Sequence, residues 1–258
     1  MSATLRRLTI LAAVLLLTLL VIPALHATTP PAQLGTAESI LLNAANHDRA
    51  ANGLAPLQWD ATLAAAARQH ALRMVQANTL SHQFPGEPAL QDRAAQTGAR
   101  FSLIAENVAE GPSVLGLHTQ WMNSPPHRAN LLDPQLNAVG MAVVQSGNML
   151  FAVQDFAAAV PQLSQEAQET MVAEQIVSHG MRAVNITADA RKTCALDSGW
   201  SGQRPGSVVR YEAADLTHLP DEIEQKLESG KYHSAAVGAC DAGTSAGFAR
   251  FRIAILLY

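Results

Sequence analysis

Three short motifs between Ala105 and Gly140 decide how this chain is interpreted. In chain order they read Ala105-Glu106-Asn107, Trp121-Met122-Asn123-Ser124-Pro125-Pro126-His127-Arg128-Ala129-Asn130-Leu131-Leu132 and Asn137-Ala138-Val139-Gly140. The Glu106 carboxylate and the His127 imidazole stand 21 positions apart, each among apolar and amide residues. A carboxylate in such an apolar run is expected to be partly buried, which is costly unless a cation, a histidine or a metal pairs with it.

A second imidazole, His82, follows a predicted helix and precedes a segment that cannot continue it, because residues 83–88 contain two prolines and a glycine. Two prolines also precede His127 and restrict the backbone there. Two histidines and one glutamate that meet in a cleft can hold a divalent metal or transfer a proton. We therefore expect His82, Glu106 and His127 to converge, with His82 and His127 as tentative zinc ligands.

The order and spacing of these motifs closely resemble the CAP superfamily, which includes cysteine-rich secretory proteins, antigen 5 allergens and class one plant pathogenesis-related proteins. The bacterial SCP-like branch is the most similar. The resemblance implies an α+β fold over residues 37–158, an α-β-α sandwich around a central antiparallel sheet. It also implies that His82, Glu106, Ser124 and His127 line a cavity. Many relatives carry a second glutamate where this chain has Ser124, so the resemblance does not support a mechanism that needs two carboxylates.

The first 27 residues have the pattern of a secretory signal peptide. A short basic segment precedes an apolar run from Leu8 to Leu25, and Ala27 offers a small residue for cleavage. The alternative is an uncleaved membrane anchor, since about 18 apolar residues approach the length that spans a bilayer. Residues 28–36 are rich in proline and threonine and read as a linker. We expect a secreted or periplasmic protein with no stable membrane span after cleavage.

Charge argues against two classes of partner. Without residues 1–27 the chain has 15 basic and 21 acidic side chains, and no dense basic patch remains. Nucleic acid is therefore not expected as a partner, and neither is an anionic membrane surface.

Local patterns predict several elements of the first domain. Asp60 caps a helix whose apolar face includes His70, which we interpret as a hydrogen-bonded core residue rather than a ligand. Ser113 caps a later helix that carries His118, interpreted as a surface residue. Residues 137–157 are predicted to form a β-hairpin that turns at Ser146-Gly147-Asn148.

Residues 165–258 are predicted to form a smaller α+β region after a linker at 161–168. Ala236-Val237-Gly238 repeats the pattern of Ala138-Val139-Gly140, and an apolar strand follows each. We interpret this region as a degenerate CAP-like half-repeat without the His–Glu set. An exported chain with two cysteines favours a disulfide between Cys194 and Cys240 over a metal site.

Three functions remain open from the sequence. The first is an exported, non-catalytic protein that binds a small ligand, such as a lipid or a sterol-like molecule, or a cell-envelope partner. The second is a metal-dependent hydrolase or peptidase in which His82 and His127 hold zinc and Glu106 is the general base. The third is an interaction module whose His–Glu cluster only stabilises the fold. The sequence shows no nucleophile elbow, P-loop or HExxH motif, so an enzyme is not indicated.

Overall fold

The computed structural model of the protein describes residues 34–258. The predicted signal peptide and residues 28–33 of the predicted linker lie outside this range. Within it, no helix is both long enough and apolar enough to cross a bilayer.

Helices and strands are mixed throughout the first region, residues 36–159. In chain order they are α1 (Thr36–Ala51), β1 (Gln58–Trp59), α2 (Ala61–Ala77), α3 (Leu90–Gln96), β2 (Phe101–Gly111), α4 (Val114–Asn123), α5 (Pro125–Leu131), β3 (Ala138–Ser146) and β4 (Met149–Ala159). The predicted hairpin is present as β3 and β4, which turn at Gly147 with φ +57°.

Strands β3, β4 and β2 form the antiparallel centre of a sheet with the order β1-β3-β4-β2-β9-β8. The pairings β1–β3 and β2–β9 are parallel, so the sheet as a whole is mixed. Apolar side chains of α2 and α3 pack on one face. Those of α1, α4 and α5 pack on the other face. The expected α-β-α sandwich is confirmed.

The start of α2 fixes its position on the sheet. Asp60 caps the helix, and its Oδ1 accepts hydrogen bonds from the amides of Thr62 and Leu63 at 2.7 and 3.0 Å. The first turn then lies so close to β3 that a Cβ at Gly140 would overlap the backbone of α2 at Leu63 and Ala64. Glycine is needed here for close approach of helix and strand.

The second region has its own sheet and core. In chain order it contains α6 (Gln165–Ser178), β5 (Ala183–Ile186), α7 (Ala188–Ala195), β6 (Ser207–Ala213), α8 (Asp221–Glu228), β7 (Ser234–Cys240), β8 (Thr244–Ser245), β9 (Phe248–Ala249) and β10 (Phe251–Leu257). Helix α6 begins inside the stretch expected to be a linker, because Ser164 caps it at the Ala167 amide. The Cys194–Cys240 disulfide is confirmed, with Cα atoms 5.7 Å apart.

The second sheet has the order β5-β7-β10-β6, and it reproduces the connections of the first. In both regions a helix leads to a short strand, which pairs parallel with the third strand of its region. Strand β3 is the antiparallel neighbour of β4, as β7 is of β10. Strand β2 then pairs antiparallel with β4, as β6 does with β10. The short strands β8 and β9 belong to the first sheet and have no counterpart in this comparison. Gly238 is also matched to Gly140, since a Cβ there would overlap the backbone of α7 at Ala190 and Arg191.

A short segment of the second region joins the first sheet. The Phe101 amide donates to the Gly247 carbonyl at 3.0 Å, and Phe248 pairs with Phe101 across β9 and β2. The two phenyl rings meet edge to face, with centroids 4.9 Å apart. The two regions are therefore tied together at the start of β2.

Candidate functional site

Glu106 lies in the middle of β2, and both of its carboxylate oxygens are engaged. Oε1 is 2.8 Å from Nδ1 of His82, and Oε2 accepts from Nη2 of Arg93. Arg93 comes from α3 and is only 2% exposed; its Nη1 also donates to the Pro88 carbonyl at 3.3 Å. The buried carboxylate is thus paired with a cation and an imidazole, two of the three partners that sequence reasoning allowed.

His82 stands in the loop after α2, which ends at Asn78 in the left-handed conformation with φ 47°. Its side chain remains 56% exposed. Because Nδ1 faces Glu106, Nε2 is the ring nitrogen left for another partner. The hydrogen bond that His82 donates to the Glu106 carboxylate raises the pKa of His82, an effect that burial and the charge of Arg93 partly oppose.

His127 reaches the same place from α5. The two prolines before it occupy the first positions of this helix, where proline is favourable. The rings of His82 and His127 have centroids 6.4 Å apart. Partial burial, and then the charge of His82, lower the pKa of His127. Ser124 links α4 and α5 and is half-buried, and its side chain does not cap α5.

Helix α5 is fixed to β2 by side-chain amides. These bonds join two of the sequence motifs, Ala105-Glu106-Asn107 on β2 and residues 127–132 on and just after α5. Asn130 Nδ2 donates to the Glu106 carbonyl at 3.2 Å and to Asn107 Oδ1 at 2.9 Å. Asn107 Nδ2 in turn donates to the His127 carbonyl at 3.0 Å. Trp121 Nε1 satisfies the next carbonyl of the strand, at Val108. These bonds cover the backbone of β2 and set where His127 lies.

His70 is buried, as its place on the apolar face of α2 predicted. Its Nδ1 is 2.8 Å from Glu87 Oε1, and its Nε2 is 2.8 Å from the carbonyl of Ser81. Both ring nitrogens therefore face acceptors. His70 thereby ties α2 to the loop that carries Ser81 and Glu87.

Asp155 is the main site residue that sequence reasoning missed. It lies on β4 directly opposite Glu106 and is 0% exposed. As an ionised carboxylate it has no hydrogen-bond donor among residues 34–258. Burial, followed by the charge of Glu106, holds the pKa of Asp155 well above its usual range. The protonated carboxyl can donate to Glu106. With Asp155 neutral, the guanidinium of Arg93 balances the carboxylate of Glu106.

A warning of Asp155 was visible in the sequence, where Gln154 and Asp155 interrupt an otherwise apolar strand. Gln154 lies on the opposite face of the sheet and contacts Asn107, whose Nδ2 donates to Gln154 Oε1 at 3.2 Å. Arg93 is the second site residue that the sequence did not reveal, because its partner Glu106 is 13 residues away and in another element.

The interpretation of His118 as a surface residue is wrong. The residue is buried at 8% exposure, and its Nε2 is 2.7 Å from Asp48 Oδ2 of α1. This contact ties α4 to α1, and it lies on a side of α4 that the apolar pattern alone did not mark as covered. Because Nε2 is bound to α1, His118 is a packing residue.

The described residues do not form a complete metal centre. Among residues 34–258 no group of three or more His, Cys, Asp or Glu side chains is arranged to hold an ion. His82 and His127 approach each other, but the oxygens of Glu106 are committed to His82 and Arg93. Any zinc would depend on two imidazoles and water, which fits a structural zinc site poorly.

Fold and site together define an α-β-α sandwich protein with a buried charge cluster beneath two accessible imidazoles. Residues 42–156 match the family model "CAP: Cysteine-rich secretory protein family". They are therefore a CAP domain of the kind found in bacterial proteins.

Two curated relatives come from Bacillus subtilis (strain 168). The chain is 32% identical to "Uncharacterized protein YkwD" over 123 residues, 47% of this chain and 48% of the relative. It is 32% identical to "Uncharacterized membrane protein YlbC" over 112 residues, 42% of this chain and 32% of the relative. The chain thus spans half or less of the length of these relatives.

Two solved structures are similar to the first region. One is an outer surface protein from Borrelia burgdorferi, at 23% identity and TM-score 0.46, covering 49% of this chain and 96% of that one. The other is an extracellular protein containing an SCP domain from Bacillus anthracis, at 30% identity and TM-score 0.42, covering 46% and 39%.

Proposed function

We propose that this protein is an exported, non-catalytic CAP protein that binds a small apolar ligand, an acyl lipid, beside the surface formed by His82 and His127. Export is supported by the signal-like pattern of residues 1–27 and by the disulfide between Cys194 and Cys240. The protein would act in the periplasm or outside the cell.

The observation that carries the non-catalytic assignment is the engagement of Glu106. A general base needs an oxygen within reach of the proton that it removes. Both oxygens of Glu106 are already bound, one by the Arg93 guanidinium and the other by His82. The side chain is also almost fully buried. Its role is to hold His82 in place.

Within residues 34–258, no other acid stands where the second carboxylate would be needed. Ser124 stands where many relatives carry glutamate, and a hydroxyl cannot serve as a carboxylic acid. Asp155 is close to Glu106 but fully buried, so it cannot reach a bound substrate. Two-carboxylate chemistry is therefore not supported by the residues around His82 and His127.

An apolar groove between α4 and α5 supports a lipid ligand. It has a volume of about 390 Å³, within the usual range for small-molecule sites. Met122, Pro125, Ala129 and Leu132 form its apolar walls, and Arg128 stands at its edge. An acyl chain would fit the walls and Arg128 would pair with a carboxylate or phosphate head group. The groove shares helix α5 with His127.

The test is a titration of the full-length exported protein with a fluorescent fatty acid, combined with mass spectrometry of copurifying lipids. Ala129→Trp fills the groove from an exposed position and is expected to weaken binding at least about tenfold, a loss of about 1.4 kcal/mol. Thr119→Trp, exposed on α4 outside the groove, is the matched control and should bind like wild type. Equal binding in all three proteins, or none in wild type, would contradict the proposal.

Zinc binding is a second candidate, favoured by one geometric feature. The Glu106 carboxylate orients His82 through Nδ1 and leaves Nε2 for a ligand, an arrangement common behind zinc-bound histidines. Calorimetry with zinc should compare wild type with the double variant His82→Ala/His127→Ala. Saturable binding lost in the double variant would support the site and justify a hydrolase screen. If neither zinc nor lipid binds, the cluster is structural and the protein is an interaction module.

For residues 165–258 we propose a degenerate CAP-like half-repeat. The shared strand order and pairing directions support it, as do the matched glycines Gly140 and Gly238.

A further inference from the structure

Strand β6 forms the longest open end of the two sheets. The sheets end on β1, β8, β5 and β6, and the first three of these strands have only two, two and four residues. Strand β6 has seven residues, Ser207–Ala213, and contains neither proline nor glycine. Natural sheet edges are usually protected by short strands, by proline or by side chains that cover the backbone. Strand β6 lacks the first two of these protections.

The register of the second sheet shows which backbone groups of β6 point away from it. Tyr258 exchanges both backbone hydrogen bonds with Ser234, in continuation of the ladder between β10 and β7. Because bonded and non-bonded pairs alternate along an antiparallel ladder, even-numbered residues of β10 bond to β7 and odd-numbered ones bond to β6. Odd-numbered residues of β10 pair with odd-numbered residues of β6. The N–H and C=O groups of Val208, Arg210 and Glu212 therefore point outward.

The third protection, cover by side chains, is also missing. Among residues 34–258, no group outside the β6–β10 ladder is hydrogen-bonded to the backbone of Val208, Arg210 or Glu212. The first sheet differs, since Glu38 Oε1 accepts from the Val143 amide of β3 at 2.9 Å. Side chains of α4 and α5 likewise bind carbonyls of β2. An uncovered edge of this length can pair with a strand from another chain.

Two side chains on this edge carry opposite charges that are not neutralised. Arg210 donates to the carbonyls of Thr193 and Gly199, which are neutral acceptors. Glu212 is exposed, and Arg250 borders the same cavity without coming within 4 Å of it. In the described part of the chain, neither Arg210 nor Glu212 has an ion-pair partner. The two residues are two positions apart and lie on the same face of β6.

We propose that β6 pairs antiparallel with β6 of a second copy of this chain, about a two-fold axis at Tyr211. This register joins the outward backbone groups of Arg210 to those of Glu212 in the second copy, and the reverse, so that hydrogen bonding and charge agree. A register centred on Arg210 would instead place that residue opposite itself. The two Tyr211 side chains would face each other on the opposite face, where aromatic cross-strand pairs are favourable. The second sheets of the two copies would then form one continuous sheet.

The test is analytical ultracentrifugation of the full-length exported protein over a range of concentrations, combined with hydrogen exchange measured by NMR. A single pair of strands makes a small interface, so we expect a weak dimer that forms as the concentration rises. In the dimer, the amide protons of Arg210 and Glu212 should exchange at least about tenfold more slowly than at low concentration. Those of Val209 and Tyr211 are already bonded within the sheet and should change little.

Two variants of Glu212 test the pairing. Glu212→Arg places like charges at both cross-strand positions and should weaken the dimer at least about tenfold. Because this side chain is exposed and has no ion-pair partner, the monomer should fold like wild type. Glu212→Pro removes an outward N–H, which a sheet edge tolerates, and should abolish the dimer. Glu174→Arg is the control, since it makes the same charge change on α6, which packs over β5 and β7.

Three results would overturn the proposal. A protein that stays monomeric into the millimolar range does so, and leaves this edge to an extended segment of another protein. A dimer that persists in Glu212→Pro is formed by another surface. A dimer that Glu212→Pro abolishes but Glu212→Arg does not weaken has a different register. None of these results bears on the lipid proposal, because the groove between α4 and α5 uses no residue of β6.

Discussion

The two sheets of this protein have the same connections but differ in chemistry at the centre. The residue facing each close-approach glycine is Asp155 in the first sheet and Ala254 in the second. The next strand supplies Glu106 in the first sheet and Arg210 in the second. The adjacent cross-strand pair is Gln154 with Asn107 in the first sheet and Ile253 with Tyr211 in the second.

This difference shows that the fold does not require the buried charges of the first region. The second region builds the same strand order around an aliphatic centre, a less costly solution than burying ion pairs. The Glu106 cluster therefore adds cost without being needed for the topology. Its most direct product is the fixed placement of His82 and, through Asn107 and Asn130, of His127.

The second region has one buried ion pair, placed differently. Glu169 of α6 is 0% exposed and binds Arg191 of α7 through both oxygens, at 2.7 and 2.6 Å. It also accepts from the Ala239 amide at 3.0 Å. This pair links two helices to a strand and leads to no exposed imidazole. The stability cost of breaking the Glu169–Arg191 pair can therefore be compared with the cost of breaking the Glu106–Arg93 pair.

The largest expected effect is the loss of Arg93. Arg93→Met leaves Glu106 buried without its cation and should lower the free energy of unfolding by about 3–5 kcal/mol. Arg191→Met should cost less, because the Arg191 side chain is 42% exposed and Glu169 keeps its backbone donor. Denaturant unfolding of both variants checks this order. The reverse order would contradict the view that the Glu106 cluster is the more costly of the two.

Alanine at either close-approach glycine should be the next most damaging change. Gly140→Ala and Gly238→Ala each place a Cβ against helix backbone, which cannot move aside, at a cost of about 1–3 kcal/mol. Gly111→Ala in β2 is the matched control, since its Cβ would meet side chains and no backbone, the flexible end of Gln120 at 2.8 Å and Leu117 Cδ2 at 3.4 Å. Comparable losses at 140 and 238, with little at 111, are expected in thermal or denaturant unfolding. A mild effect at 238 alone would weaken the half-repeat proposal.

Asp155→Asn should change how the free energy of unfolding depends on pH. It also makes the centre of the first sheet less ionisable, as the centre of the second sheet is at Ala254. Because the pKa of Asp155 is raised in the native state, the wild type loses stability as pH rises above the unfolded value of about 4. Asparagine cannot ionise and can still donate to Glu106. The variant should therefore be more stable than wild type near neutral pH, by about 1 kcal/mol or more, and equal to it in acid. Unfolding curves at several pH values test this, with exposed Asp197→Asn as the control.

The smallest expected effects on stability come from the two accessible histidines. The pH dependence of stability that His82 contributes is opposite in sign to that of His127. The pKa of His82 is raised, so its contribution is present below about pH 6.5 and lost as pH rises through the folded pKa. The pKa of His127 is lowered, so its environment costs stability as pH falls below about 6.5. His82→Gln and His127→Gln should change the pH slope of stability in opposite directions. Slopes of the same sign would contradict the assigned environments.

Much of the fold could be predicted from the sequence, because short-range signals carry it. Asp60 and Ser113 cap their helices as expected, and the hairpin turns at Gly147. What failed depended on contacts between distant elements. His118 is buried only because α1 covers that side of α4, and no local pattern reveals this.

The site was predictable to the same extent. His82, Glu106 and His127 follow from motif order, and the structure brings them together. Arg93 and Asp155 become neighbours of Glu106 only through helix packing and strand register. A charged residue in an apolar strand is a usable signal, but its partner across the sheet cannot be identified without the register.

The most direct test of the central claim is the protonation state of Asp155, measured by ¹³C NMR of its carboxyl carbon during a pH titration of the full-length protein. The charge balance around Glu106 requires Asp155 to be neutral, so its signal should keep the position of a protonated carboxyl well above pH 4. A midpoint near the ordinary value of about 4 would contradict the account. Asp155 would then be a second buried carboxylate beside Glu106, and the cluster would need a further cation.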